Sequence, residues 1–538
     1  MIKKNYELII KNGFIVDGSG NPWYKADIGI KNGKIMTIGR CIDEKDGDYI
    51  INAKNLIVCP GFIDIHNHSD KNILARPFCK SNIMQGITTI VTGNCGSTMA
   101  PINQKYLSDL QEYFASSLIE NYDYGWDWNS FGDYFQKVEK KLIAVNLAPL
   151  VGHGAIRVAV KGFSQKPVTK EEMKKMKFLL KQSLQEGAFG MSTGLVYPPG
   201  CYSTTAELVE LCGELKVFRR VYASHIRNEG RDLLESVQEA IEIGRKNNIT
   251  VQISHHKAKG KSNWGKVRYT LKTMEQERSK GLEIGCDVYP YLAGATTITS
   301  ILPSWVLEGG ISKMLERLKN DEQRKRIKRD YIEDNIKDGN DLKDAGLEGI
   351  FIASSKDHRY EGMSIGEIIK KKKRLNDPLD AMFDLILELE GNASVHKFIM
   401  DEEDMRFVLT HPLSAIATDS SGVDLSPKGK PHPRAYGTFP RVLGRYVREE
   451  RIIRLEEAIR KMTYYPASIM RIRERGLLQQ GYWADIVIFD PDKIIDCSTY
   501  QDPHQYPLGI HYVLVNGKIA VNQGSLAQEG YGKVLRAK

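Results

Sequence analysis

Several histidines and one cysteine of this sequence follow strand-like apolar runs, and their side chains are of the types that bind transition metals. His66 and His68 follow one such run, Cys95 follows the next, and His225 and His255 follow two later runs. Zinc accepts a mixed set of imidazole nitrogen and thiolate sulfur donors. Because side chains alternate along a strand, a His-x-His pair on a strand would present both imidazoles on one face. The pattern predicts a metal site.

Asp419 supplies the carboxylate that a hydrolytic metal site needs. A bound metal lowers the pKa of a coordinated water toward neutrality, and a carboxylate beside that water can take its proton and deliver it to a leaving amine. Taken alone, an aspartate before Ser420-Ser421-Gly422 is also typical of a turn, and Cys95 alone is typical of a small buried apolar residue. Their common position after strand-like runs favours the catalytic interpretation, a zinc-dependent hydrolase of amide bonds.

The elements that must position these residues are parallel strands. Apolar runs alternate with helical patterns through the middle of the chain, and each run ends next to a polar or catalytic-type residue. Such an order is typical of a TIM (β/α)8 barrel, whose active sites lie at the carboxyl ends of the strands. The predicted strands are residues 56–65, 87–92, 142–151, 188–192, 221–224, 250–254, 282–288 and 415–418.

Both ends of the sequence predict a different, β-rich structure. Asn12-Gly13 and Asn32-Gly33 each separate two apolar runs, which is a strong hairpin signal. Residues 484–489 and 512–520 have the same character. We therefore expect one small β domain built from residues 1–58 and 476–538, with the metal-dependent hydrolase barrel formed by residues 59–475.

The segment between the seventh and eighth predicted strands is too long for an ordinary connection. We predict an insertion over residues 300–405, with helices at residues 311–334 and 379–390; Pro378 suits the first turn of the second helix. An insertion at this end of a barrel lies where a lid over the substrate would lie. A packing role without gating is equally compatible with the sequence.

Charge and composition narrow the class of protein. The 538 residues carry a formal charge of +9, but that excess is spread thinly and forms no concentrated basic face for nucleic acid. The eight cysteines include no CxxC pair, so we expect free thiols. No apolar stretch follows the first lysines, so we do not expect a signal peptide. No window is apolar and long enough to cross a bilayer. We expect a cytoplasmic protein with no nucleic-acid or membrane partner; the oligomeric state is left open.

Motifs along nearly the whole chain resemble one family of amidohydrolases. They lie at residues 60–70, 92–101, 190–199, 224–227, 254–257, 287–291 and 432–441. This set resembles the N-acyl-D-amino-acid deacylases (D-aminoacylases) of the amidohydrolase superfamily. The segment around Cys95 and the segment His432-Pro433-Arg434 are the specific ones, whereas the His-x-His pair is common to the superfamily.

The resemblance implies a fold, a cofactor and a reaction. The fold would be a TIM barrel with a small β domain, and the substrate an N-acyl-D-amino acid, cleaved to a carboxylate and the free D-amino acid by a metal-bound hydroxide. Asp419 would be the general acid and base. The tight Zn²⁺ would be held by Cys95, His225 and His255, a second and weaker metal by His66, His68 and Asp419, and the substrate carboxylate by Lys257, Tyr289 and Arg434.

Two rival functions and one departure from the family remain. Hydantoinases and dihydroorotases commonly use a carboxylated lysine on the fourth strand to bridge two metals, and residues 188–194 contain no lysine, which leaves Cys95 as the bridging candidate. A catalytically inactive barrel that acts as a scaffold would typically lose metal ligands, and this chain keeps every candidate. Ala295 stands where the family commonly has a serine, so Thr296 or Thr297 would have to replace its hydroxyl.

Overall fold

In a computed structural model, which describes residues 4–336, 339–372, 377–426 and 428–538, the chain is an α/β protein with parallel sheets. The predicted insertion includes residues 337–338 and 373–376, which lie outside the described residues. Helices connect most of the strands. They are α1 (Lys80–Ile83), α2 (Leu107–Phe114), α3 (Phe131–Glu139), α4 (His153–Lys161), α5 (Lys170–Gln185), α6 (Thr205–Phe218), α7 (Leu233–Asn247), α8 (Lys266–Ser279), α9 (Ile311–Leu318), α10 (Asp321–Ile332), α11 (Asp341–Ala345), α12 (Ile365–Lys371), α13 (Pro378–Glu388), α14 (Glu402–Thr410), α15 (Arg434–Arg441), α16 (Leu455–Met462) and α17 (Tyr464–Met470).

Only one of the two N-terminal Asn-Gly pairs forms the predicted hairpin turn. The first five strands are β1 (Tyr6–Ile15), β2 (Tyr24–Lys31), β3 (Lys34–Gly39), β4 (Gly47–Asn52) and β5 (Ile57–Pro60). Asn32-Gly33 forms the predicted hairpin between β2 and β3, and both residues have the positive φ of a tight hairpin turn. The hairpin predicted at Asn12-Gly13 is wrong. Here Asn12 also has a positive φ, but the chain continues as one strand, β1, with an irregularity in its pairing between Ile10 and Gly13.

Parallel strands form the centre of the chain. They are β6 (Phe62–Asp64), β7 (Ile87–Thr92), β8 (Asn146–Pro149), β9 (Val151–Gly152), β10 (Gly190–Gly194), β11 (Val221–His225), β12 (Val251–Ile253) and β13 (Ile284–Val288). The single strand predicted over residues 56–65 is instead β5 and β6, which belong to different sheets. The chain changes sheet at Gly61, where any side chain would collide with Thr88.

The insertion has its own sheet and its own apolar core. Strands β14 (Ala293–Thr297), β15 (Ile350–Ser355) and β16 (Ala393–Phe398) pair antiparallel in the order β14-β16-β15. The predicted second helix is confirmed as α13, which Asp377 caps and Pro378 begins. The single helix predicted over residues 311–334 is wrong: α9 ends at Leu318, and α10 begins at Asp321 after its N-cap residue Asn320, whose side chain accepts a hydrogen bond from the backbone N–H of Gln323.

The last parallel strand, β17 (Ser414–Ile416), pairs with β13 and completes a six-stranded sheet in the order β17-β13-β12-β11-β10-β9. A separate three-stranded sheet has the order β6-β7-β8. Backbone hydrogen bonds connect the two sheets at both edges. The N–H of Leu150 donates to the carbonyl of Thr92 at 2.9 Å, and the N–H of Asp419 donates to the carbonyl of His66 at 2.9 Å.

Four C-terminal strands join the N-terminal ones. Strands β18 (Ile486–Phe489), β19 (Ile510–Val515), β20 (Lys518–Asn522) and β21 (Ser525–Leu526) extend a nine-stranded sheet of order β21-β20-β19-β18-β5-β1-β2-β3, with β4 paired to β1. The turn between β19 and β20 is Asn516-Gly517, again with positive φ at both residues. Across the described ranges of the chain, no helix is long and apolar enough to cross a membrane.

A buried charge cluster connects the insertion to the loop after β12. Asp341 of α11 lies 2.8 Å from the ammonium of Lys259 and 2.5 Å from that of Lys397, and all three side chains are buried. Burial alone would raise the pKa of Asp341, but the two ammonium groups hold it at about 2. The ionised carboxylate therefore compensates two buried positive charges.

Replacing Asp341 by alanine should destabilise the protein by about 3–5 kcal/mol, because two buried ammonium groups lose their partner. Since the folded-state pKa lies below the unfolded value, the loss should be full above pH about 4 and should shrink as the pH falls toward 2. Urea denaturation at several pH values measures it. The control is Glu316→Ala, which removes an exposed pair with Lys313 and should leave the midpoint nearly unchanged. Equal midpoints for the two variants would contradict the prediction.

Candidate active site

The thiol of Cys95 lies among three imidazoles at the carboxyl ends of the parallel strands. Its Sγ is 3.3 Å from Nε2 of His66, 3.6 Å from Nδ1 of His225 and 3.6 Å from Nε2 of His255. Cys95 follows β7, His225 is the last residue of β11, and His255 follows β12. Strands that are distant in sequence thus bring four potential donor atoms to one point.

The distances among these atoms fit a tetrahedral zinc ion. Zinc–sulfur and zinc–nitrogen bonds of about 2.3 and 2.0 Å at a tetrahedral angle place sulfur and nitrogen about 3.5 Å apart. The two separations of 3.6 Å from Cys95 to His225 and His255 agree with that value. Each of these three side chains offers one donor atom, and those atoms lie within 4.8 Å of one another. The residues present therefore fit the metal that the family implies.

Asp419 lies beside His66 and His68. Its Oδ1 is 3.1 Å from Nε2 of His68 and 3.4 Å from Nε2 of His66. The expectation that His66 and His68 lie on a strand is wrong, because β6 ends at Asp64 and the backbone bends before the first histidine. The two rings are 5.2 Å apart, and both still face Asp419. His66, His255 and Asp419 form a further group of donor atoms within 4.8 Å of one another.

The backbone is strained at three of these positions. Cys95, His255 and Asp419 have φ values of 53°, 36° and 48°, in the left-handed region that side-chain-bearing residues rarely adopt. Such conformations cost about 1–3 kcal/mol each and persist where the surrounding structure fixes them. Here they turn each side chain from the end of its strand toward the common point. The sequence gives no indication of these left-handed backbone conformations.

The surroundings favour the anionic forms of the thiol and the carboxylate. Burial would raise the pKa of Cys95, but His66 and hydrogen bonds with His225 and His255 lower it well below the usual value of a thiol. Burial would also raise the pKa of Asp419, but Arg434 and the neighbouring histidines hold it well below the usual value of a carboxyl. A thiolate is the form that binds metal, and an ionised carboxylate is the form that accepts a proton.

Arg434 and Tyr289 form a buried cationic and aromatic wall beside Asp419. The Nη1 of Arg434 is 2.8 Å from Oδ2 of Asp419, and its guanidinium carbon lies 4.4 Å from the centroid of the Tyr289 ring. Among the described residues, the Nε of Arg434 has no hydrogen-bond partner. The guanidinium can therefore donate to a further anion at this wall.

Lys257 has a different environment from the one expected of a substrate ligand. Its ammonium donates to Oε1 of Glu229 at 2.5 Å and to the carbonyl of His255 at 2.7 Å. The same Oε1 lies 2.9 Å from Nδ1 of His255. Glu229 thus connects Lys257 to His255, the imidazole whose other nitrogen faces Cys95. Sequence reasoning missed Glu229, although it follows His225 by four residues and lies just beyond one of the family motifs.

Asp287 was also missed. Its Oδ1 accepts a hydrogen bond from the backbone N–H of His255 at 2.7 Å and lies 3.4 Å from Nδ1 of His66. It is fully buried in β13, and its Oδ2 accepts from the side chain of Gln252 at 2.9 Å. A carboxylate on the far nitrogen of an imidazole fixes the ring orientation and raises its basicity toward a metal. The sequence offered one indication of its importance, because Asp287 lies inside one of the family motifs, two residues before Tyr289.

Known proteins share this architecture over the whole chain. The model of the amidohydrolase family matches residues 406–521. The D-aminoacylase of Alcaligenes xylosoxydans xylosoxydans is 33% identical over 98% of this chain and 97% of its own length. The N-acyl-D-aspartate deacylase of the same organism is 32% identical over 98% and 95%.

A solved structure is also similar to this chain over nearly its full length. The crystal structure of N-acyl-D-glutamate deacylase from Bordetella bronchiseptica, complexed with zinc and a phosphonate inhibitor that mimics the tetrahedral intermediate, superposes with a TM-score of 0.83. It is 32% identical, and the match covers 99% of this chain and 100% of the other. With identity of this level over the full length, and with a buried cysteine–histidine donor set at the strand ends, this chain belongs to the N-acyl-D-amino-acid deacylase (D-aminoacylase) family of the amidohydrolases.

Proposed function

We propose that this protein is a zinc-dependent hydrolase of N-acyl-D-amino acids, which it cleaves to a carboxylate and the free D-amino acid. The observation that carries the proposal is the group formed by Cys95, His225 and His255, with donor separations suited to zinc and with the carboxylate of Asp419 beside the same cluster. The relatives that match the full chain act on N-acylated D-aspartate, N-acylated D-glutamate and other D-amino acids. Family membership and donor geometry thus support the same reaction.

Two metal positions belong to the proposal. Cys95, His225 and His255 would hold the tight zinc, and His66, His68 and Asp419, which lie in contact, would form a second, weaker position. When bound, zinc polarises a carbonyl and lowers the pKa of water. Glu229 and Asp287, which contact the outer nitrogens of His255 and His66, would keep these rings in orientation.

Asp419 would move the proton in the reaction. Hydrolysis adds water across the C–N bond, so one proton must leave the attacking water and one must reach the departing nitrogen. The ionised carboxylate of Asp419 accepts the first and, once protonated, donates it to the amine. His68 contacts Oδ1 and Arg434 contacts Oδ2, and these two contacts fix the direction of the carboxylate.

The substrate carboxylate would bind at the wall formed by Arg434 and Tyr289. A guanidinium recognises a carboxylate with paired donors, and its burial excludes competing water. Lys257 would act there as well, although its ammonium is now held by Glu229. Thr296, a candidate for the missing serine hydroxyl, donates to the hydroxyl of Tyr197 at 3.3 Å.

The finer description of the fold is part of the same proposal. We propose that β6, β7, β10, β11, β12, β13 and β17, together with β8 and β9 as one interrupted strand, close into one TIM (β/α)8 barrel, supported by the hydrogen bonds at both edges of the two parallel sheets. Residues 1–58 and 476–538 would form the small β domain, residues 59–475 the barrel, and residues 300–405 the insertion. A lid role of the insertion and a cytoplasmic location remain predictions.

Asp419→Asn should lower kcat by about 10²–10⁴ or more, because the amide cannot accept the proton. The tightly bound zinc, held by Cys95, His225 and His255 and measured by metal analysis of the purified protein, should remain at the level of the unaltered protein. The matched control is Asp424→Asn in the same segment, a partly exposed carboxylate paired with Lys80, which should retain activity. Near-normal turnover by Asp419→Asn would exclude the proposed role.

A stereochemical panel tests the substrate class. The zinc-loaded protein should release free amino acid from N-acetyl-D-amino acids and should leave the L-enantiomers intact, because the relatives that match the full chain are D-amino-acid deacylases. Amine release measured for both enantiomers of each pair gives the ratio of kcat/KM. Cleavage of the L-forms alone would contradict the deacylase assignment while leaving an amidohydrolase activity in place.

A further inference from the structure

A small apolar cavity lies directly beside Cys95. Its volume is about 20 Å³, and it is lined on one side by Leu110 and Phe114 of α2 and on the other by Val158 of α4. Backbone atoms of Gly154 complete a wall without side-chain bulk. A space of this size holds roughly one water-sized group. It can therefore accept a methyl group and little more.

A series of contacts connects the wall formed by Arg434 and Tyr289 to Cys95, which lines the cavity. Arg434 contacts Asp419 at 2.8 Å, Asp419 lies 3.4 Å from His66, and His66 lies 3.3 Å from the Sγ of Cys95. An N-acyl-amino acid has its groups in the matching order: carboxylate, amide nitrogen, carbonyl and acyl chain. With the carboxylate at Arg434 and the nitrogen near Asp419, the acyl chain would extend toward Cys95 and the cavity that Cys95 lines.

Tyr113 lines both this cavity and a much larger one. The outer cavity has a volume of about 310 Å³ and lies between α2 and the insertion; its lining includes Glu112, Tyr113, Thr297, Ile311 and Leu315. Tyr113 also lines the cavity beside Cys95, so this residue lies at the boundary of both spaces. The hydroxyl of Ser312 in α9 donates to Oε1 of Glu112 at 2.6 Å, which holds the neighbouring residue of α2 against the insertion.

We propose that the cavity beside Cys95 binds the acyl chain of the substrate and that Tyr113 limits this chain to about the length of an acetyl group. Tyr113 is thus a specificity-determining residue, and the outer cavity is space that longer chains reach only when its ring is removed. The inference rests on the proposed deacylase function.

The unaltered protein gives the first test. With one D-amino acid kept constant, kcat/KM should fall at least about tenfold from the N-acetyl to the N-hexanoyl substrate, because the cavity has no room for the additional methylenes. Equal values for N-acetyl, N-butanoyl and N-hexanoyl substrates would overturn the proposal. Failure to hydrolyse any N-acyl-D-amino acid, the N-acetyl substrate included, by zinc-loaded protein would instead contradict the proposed function.

Tyr113→Ala gives the second test, because it joins the two cavities. The ratio of kcat/KM for N-hexanoyl to N-acetyl substrate should rise at least about tenfold. Phe163→Ala is the matched control: the Phe163 ring packs 5.0 Å from that of Tyr113 but lines neither cavity, so its loss should leave the ratio unchanged. An unchanged ratio in Tyr113→Ala, or an equal rise in Phe163→Ala, would overturn the assignment.

If Tyr113→Ala does not fold, Tyr113→Val keeps a β-branched apolar side chain while still removing the ring. The expected direction is the same, with a smaller rise in the ratio. Should neither variant fold, the chain-length dependence of the unaltered protein still decides whether the cavity limits the acyl chain.

Discussion

The structure depends on one buried thiol surrounded by imidazoles. The Sγ of Cys95 lies 3.3 to 3.6 Å from a ring nitrogen of each of His66, His225 and His255, and these three histidines are buried. Polar groups buried in this way are costly unless a partner compensates them. A divalent cation bound by Cys95, His225 and His255 would compensate these three donors at once, and the strained backbone at Cys95 and His255 is the local cost of directing them toward it.

Carboxylates organise the region around that point. Asp287 contacts the backbone of His255 and the ring of His66, Glu229 connects His255 to Lys257, and Asp419 faces His68 and Arg434. Each carboxylate contacts a histidine with one oxygen, and Glu229 and Asp419 also contact a cationic side chain. The position of the metal centre, the proton-transferring group and the binding wall for the substrate carboxylate are consequently coupled, so a change at one of them alters the others. The insertion joins this arrangement through α9, which contacts α2 and thereby the cavity beside Cys95.

Sequence reasoning placed residues correctly where a short segment of the chain shows both the residue type and the apolar pattern of its neighbours. Cys95, His225 and His255 follow apolar runs, and parallel strands bring such positions together whatever their separation in sequence. It failed where tertiary context decides. Asn12-Gly13 and Asn32-Gly33 are the same dipeptide, yet only the second forms a hairpin. Glu229 and Asp287 were missed because their importance lies in contacts with residues on other strands. The sheet of the insertion was missed because β14 is a short run of Ala, Gly and Thr with little apolar pattern.

The central claim is that the thiolate of Cys95 binds a metal together with His225 and His255, and cobalt substitution tests it most directly. Cobalt(II) takes the place of zinc in tetrahedral sites, and a bound thiolate gives it an intense near-ultraviolet charge-transfer absorption. The account predicts this absorption in the unaltered protein and in Cys497→Ser, a cysteine of similar burial outside the site, and its loss in Cys95→Ser. Persistence of the band in Cys95→Ser, or stoichiometric cobalt binding without the band in the unaltered protein, would contradict the account.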